Sequence, residues 1–141
     1  MAFWLLKTEP SVYSYQDLER EGKTVWEGVT NNLALKHLRS MKKGDSAIIY
    51  HSGKEKALIG IAEVVSNPYH DPRKKESKLT VVDVRPKKTL ARAVTLSEIK
   101  SRKEFTSFEL VRLPRLSVVP VRPETWKALM KLVQESSERK K

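Results

Sequence analysis

The apolar positions change period several times along the chain, and each change predicts an element. Phe3–Lys7 is a short apolar run rich in aromatics, a strand that Pro10 ends. Ser14-Tyr15-Gln16-Asp17 reads as a helix start, with Ser14 as N-cap and Asp17 in the first turn, and Gly22 suits its stop. Asn31 is placed to cap a second helix, because Ala34, Leu38 and Met41 follow at helical spacing while Lys36 and Arg39 face away. Lys43-Gly44-Asp45 is a turn into the β-rich run Ala47-Ile48-Ile49-Tyr50. Leu58–Val65 reads as a strand, with Ile59, Ile61 and Glu63 on one face and Gly60, Ala62 and Val64 on the other.

Pro68 and Pro72 break the pattern, and Leu79–Arg85 resumes it as a strand. Thr95-Leu96-Ser97-Glu98 has the form of a capping box and predicts a helix to about Lys103. Val111–Leu113 and Ser117–Val121 read as short strands around Pro114. Pro123 opens a final helix whose buried stripe is Trp126, Leu129, Met130 and Val133. Five or six short strands and four helices result, without strict alternation. That pattern predicts a small mixed α+β domain built on a curved β-sheet or barrel with surrounding helices. Residues 1–135 form one domain in this reading, and 136–141 a disordered basic tail.

Charge changes the picture from fold to partner. The 141 residues carry 28 Lys+Arg and 17 Asp+Glu, a net charge of +11. Residues 73–103 hold eleven cations and three acids, a net of +8, so the first candidate partner is a polyanion. Arg73, Lys74, Lys75, Lys78, Arg85, Lys87, Lys88 and Arg92 are the candidates for holding a phosphate backbone. With no cysteine, a disulfide scaffold, a thiol nucleophile and a Cys-based metal site are excluded. No apolar run reaches the roughly 20 residues of a membrane span. The first residues do not read as a signal peptide, and a cytoplasmic home is expected, with a nucleoid or nuclear one also open.

The motifs for catalysis are missing. His37, His51 and His70 have no metal-ligand spacing, and there is no GxGxxG, GxxxxGK[ST] or G-x-S-x-G segment. No metal, cofactor or catalytic residue is expected. His51-Ser52 follows a strand, where adjacent side chains point to opposite faces, so the pair is not a dyad. Trp26 stands between two predicted helices, close to Asn31 and Asn32. It suits either a platform on which a flat ring stacks or a plug at the end of a barrel.

Several segments together resemble one family. Trp4-Leu5-Leu6-Lys7-Thr8-Glu9-Pro10 with Tyr13-Ser14 and Asp17-Leu18 is similar to the opening of EVE-domain proteins. Trp26-Glu27-Gly28-Val29-Thr30-Asn31-Asn32 with Ala34, Met41–Asp45 with Tyr50-His51-Ser52, and Gly60–Val65 resemble later motifs of that family. So do Val82-Asp83-Val84, Leu116–Val121 and Trp126, in the right order and spacing over nearly the whole chain.

The resemblance implies a PUA-like fold and a non-catalytic reader of nucleic acid that holds a modified base, such as a methylated cytosine, in a pocket. It implies that Lys7, Thr8, Glu9, Trp26, Val29, Thr30, Asn31, Asn32, Tyr50, His51, Ser52, Leu116, Ser117 and Pro120 line that pocket. DNA with a modified base is the favoured partner. An RNA-binding module acting on tRNA or rRNA is the alternative. A third reading is an enzyme acting on a modified nucleotide, with His51 and Glu9 as acid and base.

Overall fold

The computed structural model describes residues 1–75 and 78–139. The strands are β1 (Phe3–Thr8), β2 (Thr24–Trp26), β3 (Ser46–His51), β4 (Ala57–Val64), β5 (Tyr69–His70), β6 (Thr80–Thr95) and β7 (Val118–Val121). The helices are α1 (Tyr15–Glu21), α2 (Asn32–Ser40), α3 (Leu96–Lys100), α4 (Glu109–Arg112) and α5 (Pro123–Arg139), with a 3₁₀ turn at Lys103–Phe105. Residues 136–139 of the expected tail continue α5, and 140–141 lie outside the described residues, as does Glu76 of the basic segment.

The caps act as their side chains predict. Ser14 accepts from the Asp17 amide (3.0 Å) while Asp17 accepts from the Ser14 amide (2.8 Å), a reciprocal box. Asn31 accepts from the Ala34 amide (3.0 Å), and Thr95 from the Glu98 amide (3.2 Å). Gly22 closes α1 in the left-handed region at φ 77°, where a side chain would be strained.

The sheet order is β2-β6-β4-β3-β1-β7, with β5 beside β6. β1 pairs parallel with β3 (Leu5 opposite Ile48) and antiparallel with β7 (Leu5 opposite Val119); the other pairings are antiparallel. Register shifts between Ile49 and Tyr50, and twice along the β4–β6 ladder, bend the long strands into a curled half-barrel. Leu5, Leu6, Ile48, Leu58, Val82, Val119 and Leu129 are among the residues buried in its core.

Three expectations are corrected. Thr24–Trp26 is a strand rather than a turn between helices, because its backbone completes the β6 edge at Val82–Val84. β6 runs on to Thr95 through Pro86-Lys87-Lys88, so it is not short. β2 covers only Val82–Val84, so beyond them β6 has no β2 partner, and the N–H that Pro86 lacks is not required on that side. Val111 belongs to a helical turn, not a strand: the Val111 and Arg112 amides donate to the Phe108 carbonyl at 2.9 and 3.0 Å.

One polar group anchors the start of the chain in this core. The Asp45 carboxylate is 4% exposed and accepts from the Ala2 amide (3.0 Å), the Trp4 indole (2.9 Å) and the Lys42 amide (2.9 Å). Three charge-assisted bonds offset its desolvation and tie the β3 entrance to β1.

Candidate functional site

The C-terminal end of β1 opens into a cavity of about 530 Å³, within the range of small-molecule sites. Lys7 and Thr8 come from β1, Val12 and Tyr13 from the turn after it, Glu21 from α1, and Thr24–Trp26 from β2. Glu27, Gly28 and Val29 follow β2, and Ser117 precedes β7. The walls are built by local bonds. The Lys7 amide donates to the Ser117 carbonyl (3.0 Å), and the Thr8 hydroxyl donates to the Tyr13 carbonyl (2.6 Å). Tyr13 turns its ring edge-on to Trp26, with centroids 6.3 Å apart and planes at 84°. Its hydroxyl donates to Glu21, and burial followed by that carboxylate contact raises its pKa.

Lys7 is the cavity's cation. Its ammonium donates to the Pro114 carbonyl (2.8 Å) and sits 5.7 Å from the centre of the Tyr50 ring, its neighbour across the parallel ladder. Partial burial lowers its pKa from the ordinary lysine value, and burial raises that of Tyr50. Opposite charge comes from Glu21 and Glu27. The walls therefore offer one strong donor, two carboxylate acceptors, aromatic edges and the apolar Val12 and Val29.

Five of the residues expected in the pocket line it: Lys7, Thr8, Trp26, Val29 and Ser117. Trp26 is only 7% exposed, a wall of the cavity rather than an open platform. Tyr50 lies beneath the Lys7 ammonium. Asn31 and Leu116 line a neighbouring depression of about 360 Å³ with Leu33, Arg112, Leu113, Pro114 and Arg115. Lys7 joins the two hollows through its bond to Pro114.

The remaining expected residues stand elsewhere. Glu9 is exposed and accepts from the Ser11 hydroxyl (3.0 Å). Thr30 and Asn32 are exposed at the start of α2, the Ser52 amide extends the β1–β3 ladder to the Thr8 carbonyl (2.9 Å), and Pro120 pairs with Trp4 inside β7. His51 is 2% exposed. Its Nε2 faces the Tyr15 amide at 2.9 Å, and Nδ1 faces Glu55 at 3.2 Å. An amide only donates, so Nε2 accepts and the network assigns the ring proton to Nδ1. Both nitrogens are thus engaged, Nε2 in holding the start of α1 to β3 and Nδ1 in holding the β3–β4 turn.

Val12, Tyr13, Glu21, Thr24, Val25, Glu27 and Gly28 complete the cavity without having been expected there. Tyr13 stands in the motif Tyr13-Ser14 and Glu27 and Gly28 in Trp26–Asn32; Val12, Glu21, Thr24 and Val25 meet the cavity only through the β2–β6 pairing and the α1 turn.

The cations divide into held and open ones. Arg73 bonds Glu27 at the cavity rim and the buried Asp71 (3.1 Å), Arg85 bonds Glu63 (2.8 Å), and Arg92 forks onto Glu98 with two bonds of 2.6 Å. That fork raises the Arg92 pKa and lowers that of Glu98. Lys74, Lys75, Lys78, Lys87 and Lys88 are exposed. Lys87 and Lys88 border a further depression of about 430 Å³ with Phe3 and Trp126, whose rings stack at 4.4 Å. It lies at the other end of β1, about 13 Å from Lys7 at the usual strand rise. Among the described residues no cluster of His, Asp and Glu could hold a metal, and no helix is long and apolar enough to cross a membrane.

Comparison with known proteins agrees with this architecture. The model of the EVE domain matches residues 2–132. Human "Thymocyte nuclear protein 1" is 30% identical over 94% of this chain and 74% of its own length. An NMR structure of a protein from Rhodopseudomonas palustris superposes with a TM-score of 0.90 at 38% identity, covering 95% of this chain and 94% of that one. A crystal structure of human THYN1 protein in complex with 5-methylcytosine containing DNA superposes with a TM-score of 0.85 at 29% identity, covering 94% and 98%. The curled mixed sheet with flanking helices is PUA-like, and the chain belongs to the EVE domain family.

Proposed function

We propose that this protein is a non-catalytic reader of DNA that takes a modified base, of the 5-methylcytosine type, into the cavity at the end of β1. The carrying observation is the cavity's composition, in a chain that shares its fold with a 29%-identical protein crystallised on 5-methylcytosine DNA. An amino-bearing base edge presents N–H donors that Glu21 or Glu27 accepts, and a ring carbonyl takes a bond from Lys7. Val12 and Val29 offer apolar contact to a methyl group, and Trp26 and Tyr13 wall the ring. Extruding the base costs a few kcal/mol, which pocket contacts must offset.

The exposed lysines supply the sequence-independent grip on phosphates, Lys74, Lys75 and Lys78 near the Arg73–Glu27 rim and Lys87 and Lys88 at the far end. Arg73, Arg85 and Arg92 contribute less to that grip, because each is already paired with a carboxylate. The engagement of both His51 nitrogens supports a binding role over acid–base chemistry.

The test is fluorescence anisotropy with duplexes that differ only in one cytosine methyl group, repeated at several salt concentrations, with an RNA duplex of the same sequence alongside. Tighter binding to the methylated DNA, with both affinities falling as salt rises, is expected. Equal affinity for all three duplexes contradicts the reading.

A further inference from the structure

Three of the large apolar side chains left open on this surface lie at the cavity or the depression beside it. Of the five among the described residues, Val12 lies on the cavity wall, and Leu33 (42% exposed) and Leu113 (37%) line the depression beside it. Leu113 is carried on a fixed turn. Its amide donates to the Glu109 carbonyl (2.7 Å), the Leu116 amide donates to the Leu113 carbonyl (3.0 Å), and Lys7 from the cavity holds the Pro114 carbonyl (2.8 Å). Its sequence neighbours include Arg112 and Arg115, and no carboxylate lines this depression. An aliphatic tip on a rigid turn, flanked by guanidinium groups and tied through one lysine to a base-sized cavity, is matched by a polyanion that also offers an apolar slot.

We infer that Leu113 is a wedge: it enters the duplex beside the cavity and occupies the space an extruded base leaves, while Arg112 and Arg115 hold the flanking phosphates. Removing a base from the stack exposes the faces of its neighbours to water, and an inserted apolar side chain covers them again. Guanidinium groups bind phosphate oxygens through two parallel bonds, which fixes the wedge in register with the gap. The partner is thus a double helix with one nucleotide turned out. This rests on the proposed function, since a gap exists only where a base has left.

The experiment compares Leu113→Ala, Leu113→Met and the wild type on a duplex with one central 5-methylcytosine, on its unmethylated counterpart and on the methylated strand alone. Thermal unfolding of each variant checks folding. Leu113→Ala is expected to lose about ten-fold affinity for the methylated duplex and no more than about two-fold for the single strand, where no gap needs filling. Leu113→Met, which keeps an apolar tip, should retain duplex binding within about three-fold. A wild type that prefers the methylated duplex while Leu113→Ala binds it equally well overturns the wedge and leaves the base pocket standing. Equal loss on duplex and single strand also overturns it. A wild type that ignores the methyl group overturns the pocket reading, and the wedge with it.

Discussion

Replacing Gly60 by alanine tests the packing that sets the cavity wall. A Cβ at position 60 falls 2.4 Å from Cζ of Tyr15 and 2.6 and 2.7 Å from its two Cε atoms. Nothing nearby is soft. The Tyr15 ring is 1% exposed, its hydroxyl donates to the Ile61 carbonyl (2.8 Å), and its amide donates to His51 (2.9 Å). The ring must therefore move or the β4 backbone must shift. Overpacking of this kind costs about 1–3 kcal/mol. If the ring moves, the hydroxyl bond goes too, for about another 1 kcal/mol. A loss of about 2–4 kcal/mol lowers the melting temperature of a domain this size by about 6–12 °C. Calorimetry or urea unfolding reads it. Tyr15 opens α1, directly after the turn that presents Val12 and Tyr13 to the cavity, so ligand affinity should weaken alongside. Gly60→Ala in a Tyr15→Leu background should cost less than in the wild type, because the clash is with the ring. A melting temperature within about 1 °C of wild type, or an equal cost in both backgrounds, would refute this account of the Gly60–Tyr15 contact.

Asp45→Ala leaves the buried Trp4 indole N–H and the part-buried Ala2 and Lys42 amides without their acceptor and should cost about 2–3 kcal/mol by urea unfolding, whereas Asp45→Asn should cost less because its amide oxygen still accepts. Burial lowers the Lys7 pKa from 10.5, so its ammonium loses its proton before exposed lysines do as pH rises. DNA affinity of the wild type should therefore fall first on the alkaline side, while Lys7→Arg, if it binds, stays flat over that range; identical pH profiles would show that Lys7 is not a ligand contact. Lys87→Gln with Lys88→Gln should reduce affinity for methylated and unmethylated DNA by the same factor and flatten the salt dependence by about two phosphate contacts. A changed methyl preference in that variant would place the selective site at the wrong end of the sheet.

Much of the fold was legible because it depends on neighbours in sequence. The apolar runs of β1 and β3, the alternation in β4 and the caps at Ser14, Asn31 and Thr95 each need only a few consecutive residues. Thr24–Trp26 was not legible, since three residues carry no period and the strand exists only because β6 offers an edge. The second half of β6 hid behind Pro86 and two lysines, which a strand tolerates there because β2 no longer pairs with it. Glu109–Arg112 fills a single turn, too short to separate a period of 2 from 3.6.

The cavity divides in the same way. Lys7, Thr8, Trp26, Val29 and Ser117 stand in or beside recognisable motifs. Glu27 also stands in the Trp26–Asn32 motif, whereas Glu21 joins the site only through the placement of α1. Charge counting had a similar limit: it found the basic segment, but pairs such as Arg73–Glu27, 46 residues apart, are made by the fold and leave fewer open cations than the sum suggests.

The three tryptophans provide the most direct test of where the base goes. Trp26 lines the cavity, Trp126 stacks on Phe3 beside Lys87 and Lys88 at the opposite end, and the buried Trp4 indole is bonded to Asp45. Each gives its own indole N–H signal in a ¹⁵N-labelled sample titrated with duplex containing 5-methylcytosine. The account predicts that the Trp26 signal moves with the methylated duplex, and less with its unmethylated counterpart, while Trp4 stays in place. Movement of Trp126 with Trp26 unchanged would put the base at the far end of the sheet and contradict it.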